Sequence, residues 1–117
     1  WRLFVATSKA APYAIRIVER FGLAPFFAQV YGSGLDGSLQ HKDALLAHAL
    51  ADSGVDPRAA TMIGDRKFDV LGASANGVQT IGVAWGYGSR AELEEAGAAT
   101  IVAEPAEVFG ALAAFAR

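Results

Sequence analysis

Apolar residues recur along the chain with two alternating periods, and the alternation predicts a succession of strands and helices. Leu3 to Ala6 read as a buried strand ending at Thr7 and Ser8. Pro12 suits the first turn of a helix, in which Tyr13, Ile17, Val18 and Phe21 recur at helical spacing and which Gly22 closes. Phe26 to Tyr31 predict a second strand, and Gly32 to Ser38 a loop. Lys42 to Ser53 predict a helix with Leu45, Leu46, Ala49 and Leu50 on its apolar face, ended by Gly54 and Pro57. Thr61 to Ile63 form a third strand, Lys67 to Asn76 a helix, and Asn76-Gly77 a turn. Thr80 to Ala84 form a fourth strand. Ser89 can cap a short helix, with Glu92 as its capping-box partner. Ile101 and Val102 mark a brief fifth strand, and Ala106 to Phe115 a closing helix.

Strands that alternate with helices and carry continuous apolar runs belong to a parallel sheet covered on both faces. The fold class is therefore α/β and Rossmann-like. No repeat, linker or low-complexity segment divides the chain, and residues 1–117 fit one domain. That length is short for an enzyme carrying a separate substrate domain. The first residues, WRLFVATSK, open without methionine and run straight into a strand pattern, so upstream sequence is expected.

Bulk properties narrow the chemistry. A formal net charge of −2 leaves no electrostatic footprint for nucleic acid or an anionic membrane. The absence of cysteine excludes disulfides and thiolate zinc sites and favours a cytoplasmic setting. No apolar run has the length of a membrane span. These observations are silent on oligomeric state.

Ligands of open parallel sheets bind beyond the carboxyl ends of the strands. Three such ends carry polar residues: Thr7 and Ser8; Asp65, with Asp69 one turn later; and Trp85 to Gly88. Lys42 opens a helix that could reach the same edge. Two carboxylates one turn apart can hold Mg²⁺, a hard cation that prefers oxygen ligands and keeps several waters. Mg²⁺ and a lysine can neutralise a phosphoryl group, and a hydroxyl and nearby N–H groups can bind its other oxygens.

Thr7 in LFVATSK, Lys42 in QHKDALL and Asp65 and Asp69 in GDRKFD resemble, in order and context, the second, third and fourth motifs of haloacid-dehalogenase-like (HAD) phosphatases. The resemblance spans nearly the whole chain and is nearest to phosphoglycolate phosphatases and related 5′-nucleotidases. It implies that Thr7, with Ser8 in reserve, binds the phosphoryl group and that Lys42 holds the phosphate and the nucleophile's charge. It implies that Asp65 binds Mg²⁺ and that Asp69 supports that site directly or through water. The substrate implied is a small phosphomonoester, phosphoglycolate first, hydrolysed through an aspartyl-phosphate intermediate. The family's nucleophile lies in an Asp-x-Asp motif, which these 117 residues do not contain. The resemblance places that motif upstream, on a strand between the strands of motifs two and four, with a cap domain inserted before Thr7. The chain is then an incomplete HAD core, lacking nucleophile strand and cap.

Plainer readings compete. Asp65 and Asp69 could simply complement a helix dipole, but that leaves Thr7 and Lys42 unexplained. A lysine is unfavourable at a helix N-terminus, so Lys42 hints at an anionic partner. Lys9 is expected to point to solvent, His41 and His48 to lie on the surface, and Glu92, Glu94 and Glu95 to form a solvated helix face. Gly86, Gly88 and Ala91, with Glu104 beyond, outline a dinucleotide fingerprint, but too near the chain's end to hold a dinucleotide. In its place Trp85 and Tyr87 are expected to pack at the lip of the site or against a neighbouring chain. A phospho-receiver domain has its acidic pair early and its lysine last, the reverse of the order here. A HAD-like or Rossmann-like interaction module that has lost its nucleophile is the remaining alternative.

Overall fold

The first apolar run becomes a longer strand than its hydrophobic residues suggest. The computed structural model describes residues 1–115, and in it β1 spans Phe4–Ala10. β1 pairs in parallel with β2 (Gln29–Ser33), from Phe4 opposite Gln29 to Thr7 opposite Gly32. The register then shifts so that Ala10 meets Ser33, which leaves Ser8 and Lys9 in the irregularity. Thr7 and Ser8 therefore lie within the strand rather than beyond it.

The second strand starts later than predicted. Pro25 seats Ala24–Phe26 in a 3-10 turn, which keeps Phe26 out of the ladder and 65% exposed. Gly32 and Ser33, expected in the loop, close the strand instead. Between the strands, α1 (Ala11–Arg20) buries Ala14 and Val18. Tyr13 and Ile17 stand one position away from that seam, about 100° around the helix, and are exposed together with Phe21. α2 (Lys42–Ser53) has the bounds its sequence predicts. Its Leu45 and Ala49 join Tyr31 in a core that Phe4, Ala6 and Leu39 extend. The Tyr31 hydroxyl donates to Asp52 Oδ2 at 2.8 Å, tying β2 to the last turn of α2. These elements make up one compact unit, Trp1–Ser53.

The second unit, Gly54–Arg117, holds a parallel sheet in the order β3 (Thr61–Gly64), β4 (Gln79–Val83), β5 (Thr100–Val102). α3 (Lys67–Ala75) links β3 to β4 and α4 (Arg90–Ala96) links β4 to β5. α5 (Val108–Phe115) lays Val108, Ala111 and Leu112 against Ile81, Val83 and Val102. Leu93 of α4 lies over Gly82, on the opposite face of β4. The closing helix is split where one helix was expected. Pro105–Glu107 form a 3-10 turn because the Glu107 carboxylate accepts the N–H groups of Ala103 and Glu104, at 3.2 and 3.0 Å.

Both units are thus α/β, with parallel strands and covering helices. Among the described residues β1 has β2 as its sole strand neighbour and β3 has only β4, so each sheet presents an unpaired edge. No helix among them is long and apolar enough to cross a membrane.

Candidate functional site

In the first unit, Thr7 is half-buried and its Oγ1 accepts the Lys9 N–H at 3.2 Å. That bond uses a lone pair, so the hydroxyl hydrogen can still be donated. Ser8 and Lys9 are exposed. Lys42, the first residue of α2, donates from Nζ to the carbonyl of Ala6 at 3.0 Å. The helix start thereby carries its ammonium back to the residue preceding Thr7, and Lys42 comes to the stretch of β1 that holds Thr7 and Ser8.

In the second unit, β3 ends at Gly64 and the chain turns through Asp65 and Arg66 into α3. Asp69, 8% exposed, folds its carboxylate back over this turn. Its Oδ2 accepts from the N–H groups of Asp65 and Arg66, both at 3.2 Å. Those donors have no partner within the helix, so Asp69 caps its own helix. Gly64 permits this approach, since a Cβ there would collide with the Asp69 side chain.

A second segment grips Asp65. The Tyr87 N–H donates to Asp65 Oδ2 at 2.9 Å, and the Gly88 N–H donates to the Asp65 carbonyl at 3.0 Å. Gly86 makes room for the carboxylate, because a Cβ there would overlap the Asp65 side chain. The loop after β4 therefore serves Asp65 through its backbone. The aromatics of the loop stay open on this chain: Tyr87 is 95% exposed and Trp85 about half exposed. Its Gly-x-Gly was the signal for this role, since glycines after a strand mark close approach as readily as a dinucleotide.

Glu92 differs from its expected place on a solvated face. Ser89 Oγ accepts the Glu92 N–H at 3.0 Å, which is half of the predicted capping box. The Glu92 side chain goes elsewhere. Its Oε2 accepts from Arg66 Nε at 3.0 Å and from the Lys67 N–H at 2.9 Å, and its Oε1 lies 3.5 Å from the second guanidinium nitrogen. The Arg66 bond, then the Lys67 N–H, hold the Glu92 carboxyl below the usual carboxylate range, and Glu92 in turn raises Arg66. The guanidinium also stacks on Phe68, 5.2 Å from the ring centre.

Asp65 and Asp69 suit a hard, sparsely ligated cation. No group of three or more His, Cys, Asp and Glu clusters among the described residues. Mg²⁺ does not require one: it is commonly bound by one or two carboxylates, with waters and substrate oxygens completing its shell. Asp65 has one carboxylate oxygen fixed by a backbone donor, which orients the other. The donor set fits.

Known proteins resemble this chain in sequence and fold. The family model for HAD-hydrolase-like proteins matches residues 41–113. A 5′-nucleotidase of Pseudomonas aeruginosa is 47% identical over 91 residues, covering 78% of this chain and 41% of that protein. The tyrosine-protein kinase PtkA of Mycobacterium tuberculosis is 45% identical over 107 residues, covering 92% of this chain and 36% of that protein. A crystal structure described as a predicted phosphatase from Clostridium acetobutylicum superposes with a TM-score of 0.95 at 39% identity, over 97% of this chain and 53% of that one. The chain thus spans about half the length of that structure, and less of the two curated relatives. With a family match over more than half its length, the chain belongs to the HAD-like hydrolase family.

Proposed function

We propose that the intact protein hydrolyses a small phosphomonoester, phosphoglycolate or a chemically similar metabolite, with Mg²⁺ as cofactor and through an aspartyl-phosphate intermediate. The observation that carries this reading is the Asp65 turn. A carboxylate at the end of a parallel strand is fixed by the Tyr87 N–H, and its own N–H is fixed by Asp69. Preorganised dipoles of this kind suit a group that must hold a cation in one geometry during phosphoryl transfer.

Each residue has a role in that reading. Asp65 is the metal carboxylate, and Asp69 sets the turn that presents it. Mg²⁺ bound there would supply charge neutralisation and orientation for the phosphoryl group. The Thr7 hydroxyl donates to a phosphoryl oxygen, with Ser8 beside it. Lys42 is a cation for the phosphate and the attacking carboxylate, held ready by the Ala6 carbonyl. The attack needs an Asp-x-Asp strand, absent from these 117 residues and to be sought in the intact protein. A protein without it would be the non-catalytic relative.

A second reading, transfer of a phosphoryl group to a tyrosine hydroxyl, is favoured by the 45% identity to the protein named as a tyrosine kinase. The same binding groups would serve it, with a different acceptor.

The test is the full-length protein assayed on p-nitrophenyl phosphate with Mg²⁺ or with EDTA, alongside Asp65→Asn. Mg²⁺-dependent release of nitrophenol, lost in the variant, supports hydrolysis. Phosphotyrosine formed from ATP, with no hydrolysis, supports the second reading.

A further inference from the structure

The mechanism above leaves Glu92 without a task, although its carboxylate accepts three donors from the segment that carries Asp65. Two come from the Arg66 guanidinium and one from the Lys67 N–H, the first N–H of α3. Glu92 is itself anchored, since its N–H is capped by Ser89. A Cβ on Gly88 would fall 2.6 Å from Glu92 Oε2 and would overlap the Asp65 carbonyl, so this glycine lets loop, turn and helix meet. Arg66 lies between two carboxylates in sequence, and both pull on its charge. Left unpaired, its guanidinium would be a built-in competitor for any cation at Asp65.

We infer that Glu92 is a positioning residue for the metal carboxylate. It fastens the start of α3 through the Lys67 N–H, and it engages Arg66 so that this guanidinium does not compete with the metal for Asp65 and Asp69. The inference rests on the phosphatase reading insofar as it places Mg²⁺ at Asp65. Outer partners of this kind commonly change metal affinity when removed.

The experiment is a calorimetric titration of the full-length protein with Mg²⁺, without substrate. Glu92→Gln keeps the side chain's shape, removes the charge that pairs with Arg66, and should weaken Mg²⁺ binding by about tenfold. Adding Arg66→Gln to that variant should recover most of the lost affinity. Arg66→Gln alone should bind Mg²⁺ at least as tightly as the unaltered protein. A merely structural contact predicts no such recovery. Unchanged affinity in Glu92→Gln, no recovery in the double variant, or weaker binding in Arg66→Gln alone would each overturn the inference while leaving the phosphatase reading standing. An unaltered protein that binds no Mg²⁺ would overturn both, and that result comes before any variant is made.

Discussion

The two units hold their charged residues in different ways. In Trp1–Ser53, Lys42 reaches a strand carbonyl on a long flexible stem, while the Thr7 hydroxyl accepts an N–H two residues along its own chain. In Gly54–Arg117, the Asp65 segment is bound by backbone groups of the 87–88 loop, by Asp69 and by Glu92. The difference matches the work proposed for each. A point-charge ammonium tolerates small displacements of a phosphate, because Coulomb attraction falls off slowly with distance. A cation that demands near-octahedral geometry does not tolerate displaced ligands. Fixed N–H donors therefore gather where geometry is strict.

Removing charge from the first unit should give the larger loss. Lys42→Met keeps the stem, and turnover of the full-length protein on p-nitrophenyl phosphate should fall by about two to three orders of magnitude. Its melting temperature should stay close to that of the unaltered protein. A variant that melts early and keeps its rate would make Lys42 a structural residue and erase the contrast.

Crowding the grip in the second unit should cost less in rate and more in stability. Gly86→Ala drives a Cβ into the Asp65 side chain, and relieving the overlap should cost about 1–3 kcal/mol. Mg²⁺ affinity should fall by about tenfold as Asp65 shifts. Gly110→Ala is the control. A Cβ there meets nothing within 4 Å, and the change in a helix interior should stabilise by up to about 1 kcal/mol. Urea denaturation with parallel Mg²⁺ titrations separates these outcomes.

The smallest effect belongs to the core of the first unit. Tyr31→Phe removes the hydroxyl that donates to Asp52, at a cost of about 1 kcal/mol. Burial, and then the bond to Asp52, raise the Tyr31 phenol above its ordinary value. A raised folded value means this stabilisation is complete below the ordinary phenol pKa of about 10 and is lost as pH rises through the folded value. Thermal melts should therefore fall off with alkaline pH in the unaltered protein, and less so in Tyr31→Phe.

What the sequence could tell divides along the same lines. The Lys42–Ser53 helix was legible to the residue, because Gly54 and Pro57 stop a clean apolar periodicity. GDRKFD was legible as the turn from a strand into a helix because the strand end and the helix start were both marked. The late start of β2 was hidden by the apolar Phe26, which Pro25 holds in a turn. Glu92 was misread for another reason: its partners lie 25 and 26 residues away, and such a contact leaves no periodicity behind. The grip of the 86–88 backbone on Asp65 was equally hidden, since main-chain donors look alike in every sequence.

The central claim is that Asp65 is a carboxylate held ready for a divalent cation. Manganese broadening of backbone amide signals tests it directly. In the full-length protein, trace Mn²⁺ should first broaden the amides of Asp65, Arg66, Tyr87 and Gly88, and Asp65→Asn should abolish that pattern. Broadening that begins instead at the exposed carboxylates of Asp36 or Asp56, or that survives in Asp65→Asn, would contradict it.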